Sequence, residues 1–543
     1  MQQSAFYENL EPFTFLERSA LVYPNKTAVI YGDQKYSYAE FMTRVNKLAG
    51  ALKQSGISKG DKVAFIVPNL PPLLEGHYGP MSIGAVLVAI NTRLSSREIS
   101  YILNHSKAKV LVFDSEFAPV ISQIRDQLPM ITTYVQVVDE FPKSDEIPSY
   151  EYEEFLESAP SGLHRDPIDS ELDTITINYT SGTTGMPKGV QYHARGAYLN
   201  AMGEIIETGL NWQSVYLWTL PMFHCNGWCN TWAVTAASGT HLCLRRVDPQ
   251  KIYELIEEYK VTNMCGAPTV LTGMYSSPSA EGRDLTGVTI ATGGAPPAPQ
   301  VVRTMETMGA NIIHLYGLTE TYGPYTLCVP QESWKDMGPD EKAYAKSKQG
   351  IPYIHASTGV RVVDSDMNDV PRNGKSMGEV LMRSNGVMSG YFDDIDATNK
   401  AFEGGWFHSG DLAVWHADGQ IELQDRAKDI IISGGENISS QEVEKVIMEN
   451  PNVLEVSVIA VPDTQWGEVP KAFVSLKVGA VSTEQEIIDF CKDRIARFKA
   501  PKYVEFGDLP KTATGKIQKY VLREKEWAGQ EKRIQGSQVA EPN

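Results

Sequence analysis

Long apolar runs are missing from this chain. The best, residues 83–90, falls far short of the ~20 residues that a membrane-spanning helix needs. The opening MQQSAFYENLEPFTFLERSA puts an acidic residue where a signal peptide is basic, and no apolar core follows it. The closing Glu-Pro-Asn is no peroxisomal address, so we expect a cytoplasmic protein. Positive charge is scarce: 49 Lys and Arg stand against 67 Asp and Glu, a net charge of -18. That excludes a general nucleic-acid surface and requires any polyanionic ligand to be met by a local basic patch. The six cysteines (225, 229, 243, 265, 328 and 491) have no paired spacing or histidine partners suited to zinc, which predicts reduced, mostly buried thiols. Also absent are a Rossmann G-x-G-x-x-G, a full Walker G-x-x-x-x-G-K-S/T and any short fixed repeat. These gaps remove the usual dinucleotide, P-loop and solenoid readings.

What is present is enough apolar residue, 42% of 543, for a large core spread over about two to four domains. Residues 39–56 carry Phe41, Val45, Leu48, Ala49 and Leu52 as a helical stripe. Short apolar strands at 62–67, 86–89 and 110–113 alternate with helices expected at 73–84 and at 96–105, the latter capped by Ser96. Strands of this length between helices predict an α/β architecture of parallel sheets covered on both faces. Residues 142–167 and 336–349 read as polar surface excursions.

The segment 179–190, YTSGTTGMPKGV, follows an alternating strand at 174–179. Thr180, Ser181, Gly182, Thr183, Thr184 and Gly185 supply turns and uncharged donors, and Lys188 adds a cation at the rim. Such a combination cradles phosphate. Three later strands each open into small residues: 261–268 into Cys-Gly-Ala-Pro, 287–292 into Gly293-Gly294-Ala295-Pro296, and 311–316 into Gly317-Leu318-Thr319-Glu320-Thr321. Loops of this kind at the carboxyl edge of one sheet are where open α/β folds bind nucleotides. Glu320 is a carboxylate able to hold Mg²⁺ against phosphates, with Thr319 as hydroxyl partner. The segment Pro221-Met222-Phe223-His224-Cys225-Asn226-Gly227-Trp228 reads as a pocket wall.

These motifs, in this order, resemble the adenylate-forming superfamily of acyl- and aryl-CoA synthetases, peptide-synthetase adenylation domains and beetle luciferases, over about residues 10–525. The resemblance implies two α/β sheets and a small distorted barrel in a large domain, 1–427, with a mobile α+β domain, 428–543, closing over it. It also implies the chemistry: ATP and a carboxylic acid give acyl-AMP and pyrophosphate, then CoA gives acyl-CoA and AMP, with Mg²⁺ assisting. Carried over residue by residue, Thr180, Glu320, His224 and Lys516 are catalytic. Ser181, Gly182, Thr183, Thr184, Lys188, Gly294, Ala295, Tyr316, Gly317, Thr319, Asp411 and Arg426 hold the nucleotide. Asp411 takes the ribose hydroxyls in that scheme, and Tyr316 stacks on adenine.

His224, Trp228, Gly293 and Tyr322 are then expected at the acyl group. Gly434, Gly435, Glu436, Arg497 and Lys499 are expected at CoA, and Lys428 at the hinge. The adenylation domains of peptide synthetases usually place Asp after that Phe; His224 there disfavours an α-amino acid. Within the superfamily, the FHCNGW and GGAPP stretches are similar to the branch of medium-chain and methylmercaptopropionate-CoA ligases and plant acyl-activating enzymes. With Trp228, Tyr322 and Tyr325 near the active loop, we expect a short- to medium-chain acid. A homodimer is an allowed assembly. Rival outcomes are an aryl-CoA ligase, a carrier-loading enzyme, a luciferase-like oxidase, and a nucleotide-binding regulator without catalysis.

Overall fold

The computed structural model describes residues 7–180, 186–426, 428–434, 436–512 and 515–527. Two large sheets make up most of the chain. One has eight strands, and its central parallel members are Val86–Ala89, Lys62–Ile66 and Ala108–Asp114. Thr174–Tyr179 joins this sheet parallel to Val86–Ala89 and then turns back antiparallel as Gly189–His193, so the phosphate segment is the tip of a hairpin. The other sheet has nine strands, among them the parallel neighbours Asn263–Gly266, Thr289–Thr292 and Asn311–Leu318. Their carboxyl ends do lie side by side, as the small-residue loops predict.

Burial explains the strand compositions. Val86–Ala89 is buried at every position, and Val63, Ala64, Phe65 and Ile66 are fully shielded, because helices cover both faces. The helix Tyr38–Gln54 packs Phe41, Val45, Leu48 and Leu52 inward and starts with a Ser37/Glu40 capping box. The helix Ser96–Ser106 is capped by Ser95 with Glu98, one residue before the expected cap, because Ser95 is the one with extended backbone. In place of one helix at 73–84 there are two short ones, Pro71–Gly76 and Gly79–Ser82, broken where Pro80 enters. Both expected surface excursions contain helix: Tyr152–Glu157 buries Tyr152, Phe155 and Leu156, and Pro339–Lys346 buries Ala343 and Ala345.

Where a small barrel is implied, Val360–Val363, Met377–Met382, Phe407–Trp415 and Ile421–Arg426 form a four-stranded antiparallel sheet. After residue 430 comes a separate five-stranded sheet with helices Ser440–Met448 and Glu484–Lys492 and its own apolar core. All six cysteines are free and buried. Among the described residues no helix is long and apolar enough to cross a membrane.

Candidate active site

A cleft of about 340 Å³ lies between the nine-stranded sheet and the C-terminal sheet. Gly294, Ala295, Tyr316, Gly317, Asp411 and Arg426 line it from one side, and Lys516, Ile517 and Lys519 from the other. Asp411 and Arg426 are paired across the strands Phe407–Trp415 and Ile421–Arg426, which sets the guanidinium Nε 3.0 Å from the carboxylate. Tyr316 donates its hydroxyl to the second carboxylate oxygen at 2.7 Å. One acid is thus held by a cation and a phenol at the mouth of three glycine-rich loops, with both oxygens aligned.

Lys516 stands in the same cleft. The positive charge of Arg426, followed by burial, lowers its ammonium to about 8. Burial, with Lys516 as a second cause, pushes the His224 imidazole down to about 4, so this ring is neutral at physiological pH. The structure therefore brings Lys516, Asp411, Arg426, Tyr316 and His224 together although they span almost 300 residues.

His224 opens a backbone feature that the pattern of residue types did not announce. Cys225, Asn226, Gly227, Trp228 and Cys229 have φ of 48°, 44°, 60°, 53° and 59°, a continuous left-handed turn. Each non-glycine residue there costs about 1–2 kcal/mol, so the surroundings must hold it. Asn178 does so, donating its amide to the Asn226 side chain at 2.5 Å and accepting the Asn226 backbone N–H at 3.2 Å. Thr231 donates to the Asn226 carbonyl at 3.1 Å. The turn carries Trp228 between two glycines: a Cβ on Gly293 would stand 3.1 Å from the indole, and one on Gly323 would stand 2.8 Å from it. Glycine at both positions makes room for this ring, whose exposure is 4%.

Tyr322 is placed differently from an acyl contact. It has no exposed surface, stacks on Tyr192 at 4.0 Å, and exchanges hydrogen bonds with the His193 backbone. It supports the wall from behind. Tyr325 is likewise buried, donating to the Gly359 carbonyl.

Thr180 and Lys188 close the base of the phosphate hairpin: the Lys188 N–H donates to the Thr180 hydroxyl at 3.1 Å, and the Thr180 N–H to the Lys188 carbonyl at 3.0 Å. Ser181, Gly182, Thr183 and Thr184 lie outside the described residues. Glu320 follows Thr319 at the end of Asn311–Leu318, and burial raises its carboxyl above the usual range.

Of the residues expected at CoA, Gly434, Glu436, Arg497 and Lys499 do not line the cleft. Gly434 turns against Trp466, Glu436 is exposed, and Gly435 lies outside the described residues. Arg497 and Lys499 belong to a run of five basic residues, Lys492, Arg494, Arg497, Lys499 and Lys502, most of which acids neutralise: Lys499 pairs with Glu442 at 2.8 Å, Lys502 with Asp463 at 2.5 Å, and Arg494 with Glu449 at 3.8 Å. Arg497 alone of that cluster has no carboxylate within ion-pair distance among the described residues.

Lys428 lines the cleft just after the strand Ile421–Arg426. Around it the two parts are joined by polar contacts. Ser440 N–H donates to Asp425 at 2.6 Å, Lys445 pairs with Glu422 at 2.9 Å, and Ser439 donates to the Gln424 carbonyl.

A protein with this cleft and these loops falls in a recognised class. Residues 16–392 match the AMP-binding enzyme family and residues 442–516 its C-terminal domain, and the chain belongs to that family. It is 44% identical to 4-hydroxybutyrate–CoA ligase 2 of Metallosphaera sedula, over 96% of this chain and 95% of that protein. It is 41% identical to the peroxisomal acetate/butyrate–CoA ligase AAE7 of Arabidopsis thaliana, over 96% of this chain and 95% of that protein. Among solved structures, the anthranilate CoA ligase AuaEII with anthranoyl-AMP superposes with a TM-score of 0.86 at 26% identity. It covers 96% of this chain and 99% of that one.

Proposed function

We propose that the protein is an AMP-forming acid–CoA ligase for short- to medium-chain carboxylic acids. The observation that carries this is the meeting of Lys516 with the Tyr316–Asp411–Arg426 group in one cleft, with His224 near enough for the lysine's charge to act on its ring. Bringing a carboxylate to the α-phosphate joins two anions, so the site must supply positive charge without a protein nucleophile. Lys516 and Arg426 supply it, Asp411 takes the ribose, and neutral His224 lies beside the reacting carboxylate. The acyl-AMP formed is then attacked by the CoA thiol, releasing AMP.

Trp228, seated between Gly293 and Gly323, ends the acyl pocket and sets the limit on chain length. The two relatives named above act, by their names, on hydroxybutyrate, acetate and butyrate.

Among the described residues no three His, Cys, Asp or Glu side chains could together hold a metal. Glu320 alone suits Mg²⁺, which takes one or two carboxylates and completes its shell with substrate phosphates and water. Bound there, Mg²⁺ would neutralise phosphate charge. Chain division at 427/428, hinge action at Lys428, and CoA contact by Gly434, Gly435, Glu436, Arg497 and Lys499 belong to the same reading. A cytoplasmic location does too, although the AAE7 relative is peroxisomal by name.

The test is pyrophosphate release with acetate, butyrate, 4-hydroxybutyrate, octanoate, palmitate and benzoate, with and without CoA, and the thioester followed by mass. We expect pyrophosphate with the short acids and equal AMP and thioester when CoA is added. No pyrophosphate with any acid would leave a nucleotide-binding regulator. Adenylate without thioester would point to a carrier-loading enzyme.

A further inference from the structure

Tyr391 was not among the residues expected at the site, yet it touches two of them. It lies in the edge strand Gly390–Tyr391, paired antiparallel with Gly189–His193, the returning arm of the phosphate hairpin. Its hydroxyl donates to Glu320 Oε1 at 2.9 Å. Lys188 Nζ stands 4.7 Å from the centre of its ring. The backbone around it is locked to the same groups: Met388 N–H donates to the Glu320 carbonyl at 2.8 Å, and Phe392 N–H to the Gly189 carbonyl at 2.7 Å. Thr398 accepts the Tyr391 N–H at 2.9 Å.

We infer that Tyr391 is a positioning residue that holds the Glu320 carboxylate and the Lys188 ammonium apart and aimed at the nucleotide phosphates. The inference rests on the reading of Glu320 and Lys188 given above. An ammonium and a carboxylate that both serve one phosphate site attract each other when the phosphates are away. Once paired, they must be separated before ATP enters. The phenol gives each a separate partner, a hydrogen bond for the carboxylate and a ring face for the cation. In keeping with this, Lys188 forms no ion pair among the described residues. The bond to Oε1 also fixes the carboxylate rotamer, and Oε2 is the oxygen that would hold a metal ion if one bound. Burial raises the phenol well above its ordinary range, so it remains a donor at every working pH.

Tyr391→Phe keeps the ring under Lys188 and removes the donor to Glu320; Tyr391→Leu removes both. Binding is read without acid present, so no turnover occurs, by calorimetry of ATP with and without Mg²⁺. Tyr391→Phe should weaken Mg–ATP binding about tenfold, the loss of one charge-assisted hydrogen bond, and leave metal-free ATP binding unchanged. Tyr391→Leu should weaken both. Thioester formation from synthetic acyl-AMP, which needs neither ATP nor metal, should stay within about twofold of the unaltered protein in both variants, a split that a merely structural residue would not produce. Unchanged Mg–ATP binding in Tyr391→Phe, or an equal fall in both half-reactions, overturns the inference. Glu320→Gln separates the two levels. If it alters the Mg²⁺ dependence while Tyr391→Phe does not, only the role of Tyr391 fails. If it alters nothing, the assignment of Glu320 fails and takes this one with it.

Discussion

Lys516 is the residue whose chemistry depends most on its neighbours. A free lysine is charged at any physiological pH, whereas here the charge of Arg426 and burial bring it to about 8. The sign follows directly: the ammonium is present below that value and lost as pH rises through it. Since kcat/KM reports the free enzyme, kcat/KM for ATP in the pyrophosphate-forming step should fall about tenfold per pH unit above pH 8. The kcat at saturating ATP should hold to higher pH, because bound phosphate restores the proton. Lys516→Arg, slower or not, should lose the alkaline limb, since a guanidinium does not titrate there. A limb that persists in Lys516→Arg assigns it to another group. The family resemblance made this lysine visible in the sequence; the cations and acids around it come from positions some 90 residues upstream, Arg426 among them.

At the scale of the element, the left-handed turn 225–229 is what sets how much acid the pocket takes under the function proposed above. Its anchor is Asn178, on the strand that leads into the phosphate hairpin, so the acyl wall and the phosphate segment share one support. Asn178→Ala leaves the Asn226 side chain and N–H without their partner and should destabilise the protein by about 1–3 kcal/mol, measured by urea unfolding. It should also blur acid selectivity, because Trp228 is no longer held. Asn178→Ala with unchanged stability and selectivity would mean that the turn holds itself. Trp228→Gly acts on the ring directly. A methylene contact is worth about 1–3 kcal/mol, so relative kcat/KM for octanoate over butyrate should rise tenfold or more, and an unchanged profile would move the pocket elsewhere. FHCNGW stood out as a wall by composition. Its handedness did not, because nothing in Cys-Asn-Gly-Trp-Cys requires positive φ except through Asn178 and the bulk of Trp218 beside Gly227, where a Cβ would approach the indole to 2.5 Å.

For the whole molecule, the described arrangement is one in which Lys516 faces the nucleotide cleft and Gly434 and Glu436 face away. Gly515 is part of what permits it: its φ is +82°, and a Cβ there would meet Thr269 Oγ1 at 2.1 Å. Gly515→Ala should therefore cut pyrophosphate formation about tenfold or more and spare thioester formation from synthetic acyl-AMP. Thr269→Ala in the same chain should recover part of the loss. Lys428→Pro should have the opposite effect. Proline fixes φ and removes the N–H at the proposed hinge, so acyl-AMP should form but pass poorly to CoA. Equal loss of both half-reactions in folded Gly515→Ala and Lys428→Pro would refute alternation between two domain poses.

The sequence by itself determined the alternating α/β plan, the three glycine-rich loop ends and, among the charged residues of the cleft, Asp411, Arg426, Lys428 and Lys516. Local composition is sufficient for these: strands covered on both faces must be apolar throughout, and a backbone that approaches phosphate needs glycine. Only the tertiary structure decided which charges remain available. Arg494, Lys499 and Lys502 read as a basic patch along the chain, but Glu449, Glu442 and Asp463 stand opposite them once the domain folds. Residues 142–167 likewise read as a connector because their polar side is the commoner one, yet Tyr152, Phe155 and Leu156 meet the helix Tyr38–Gln54 and form a helix there. Tyr391 and Asn178 escaped notice for the same reason: a phenol or an amide acquires a role only from what lies across from it, and that partner is set by strand pairing between segments that are distant in sequence.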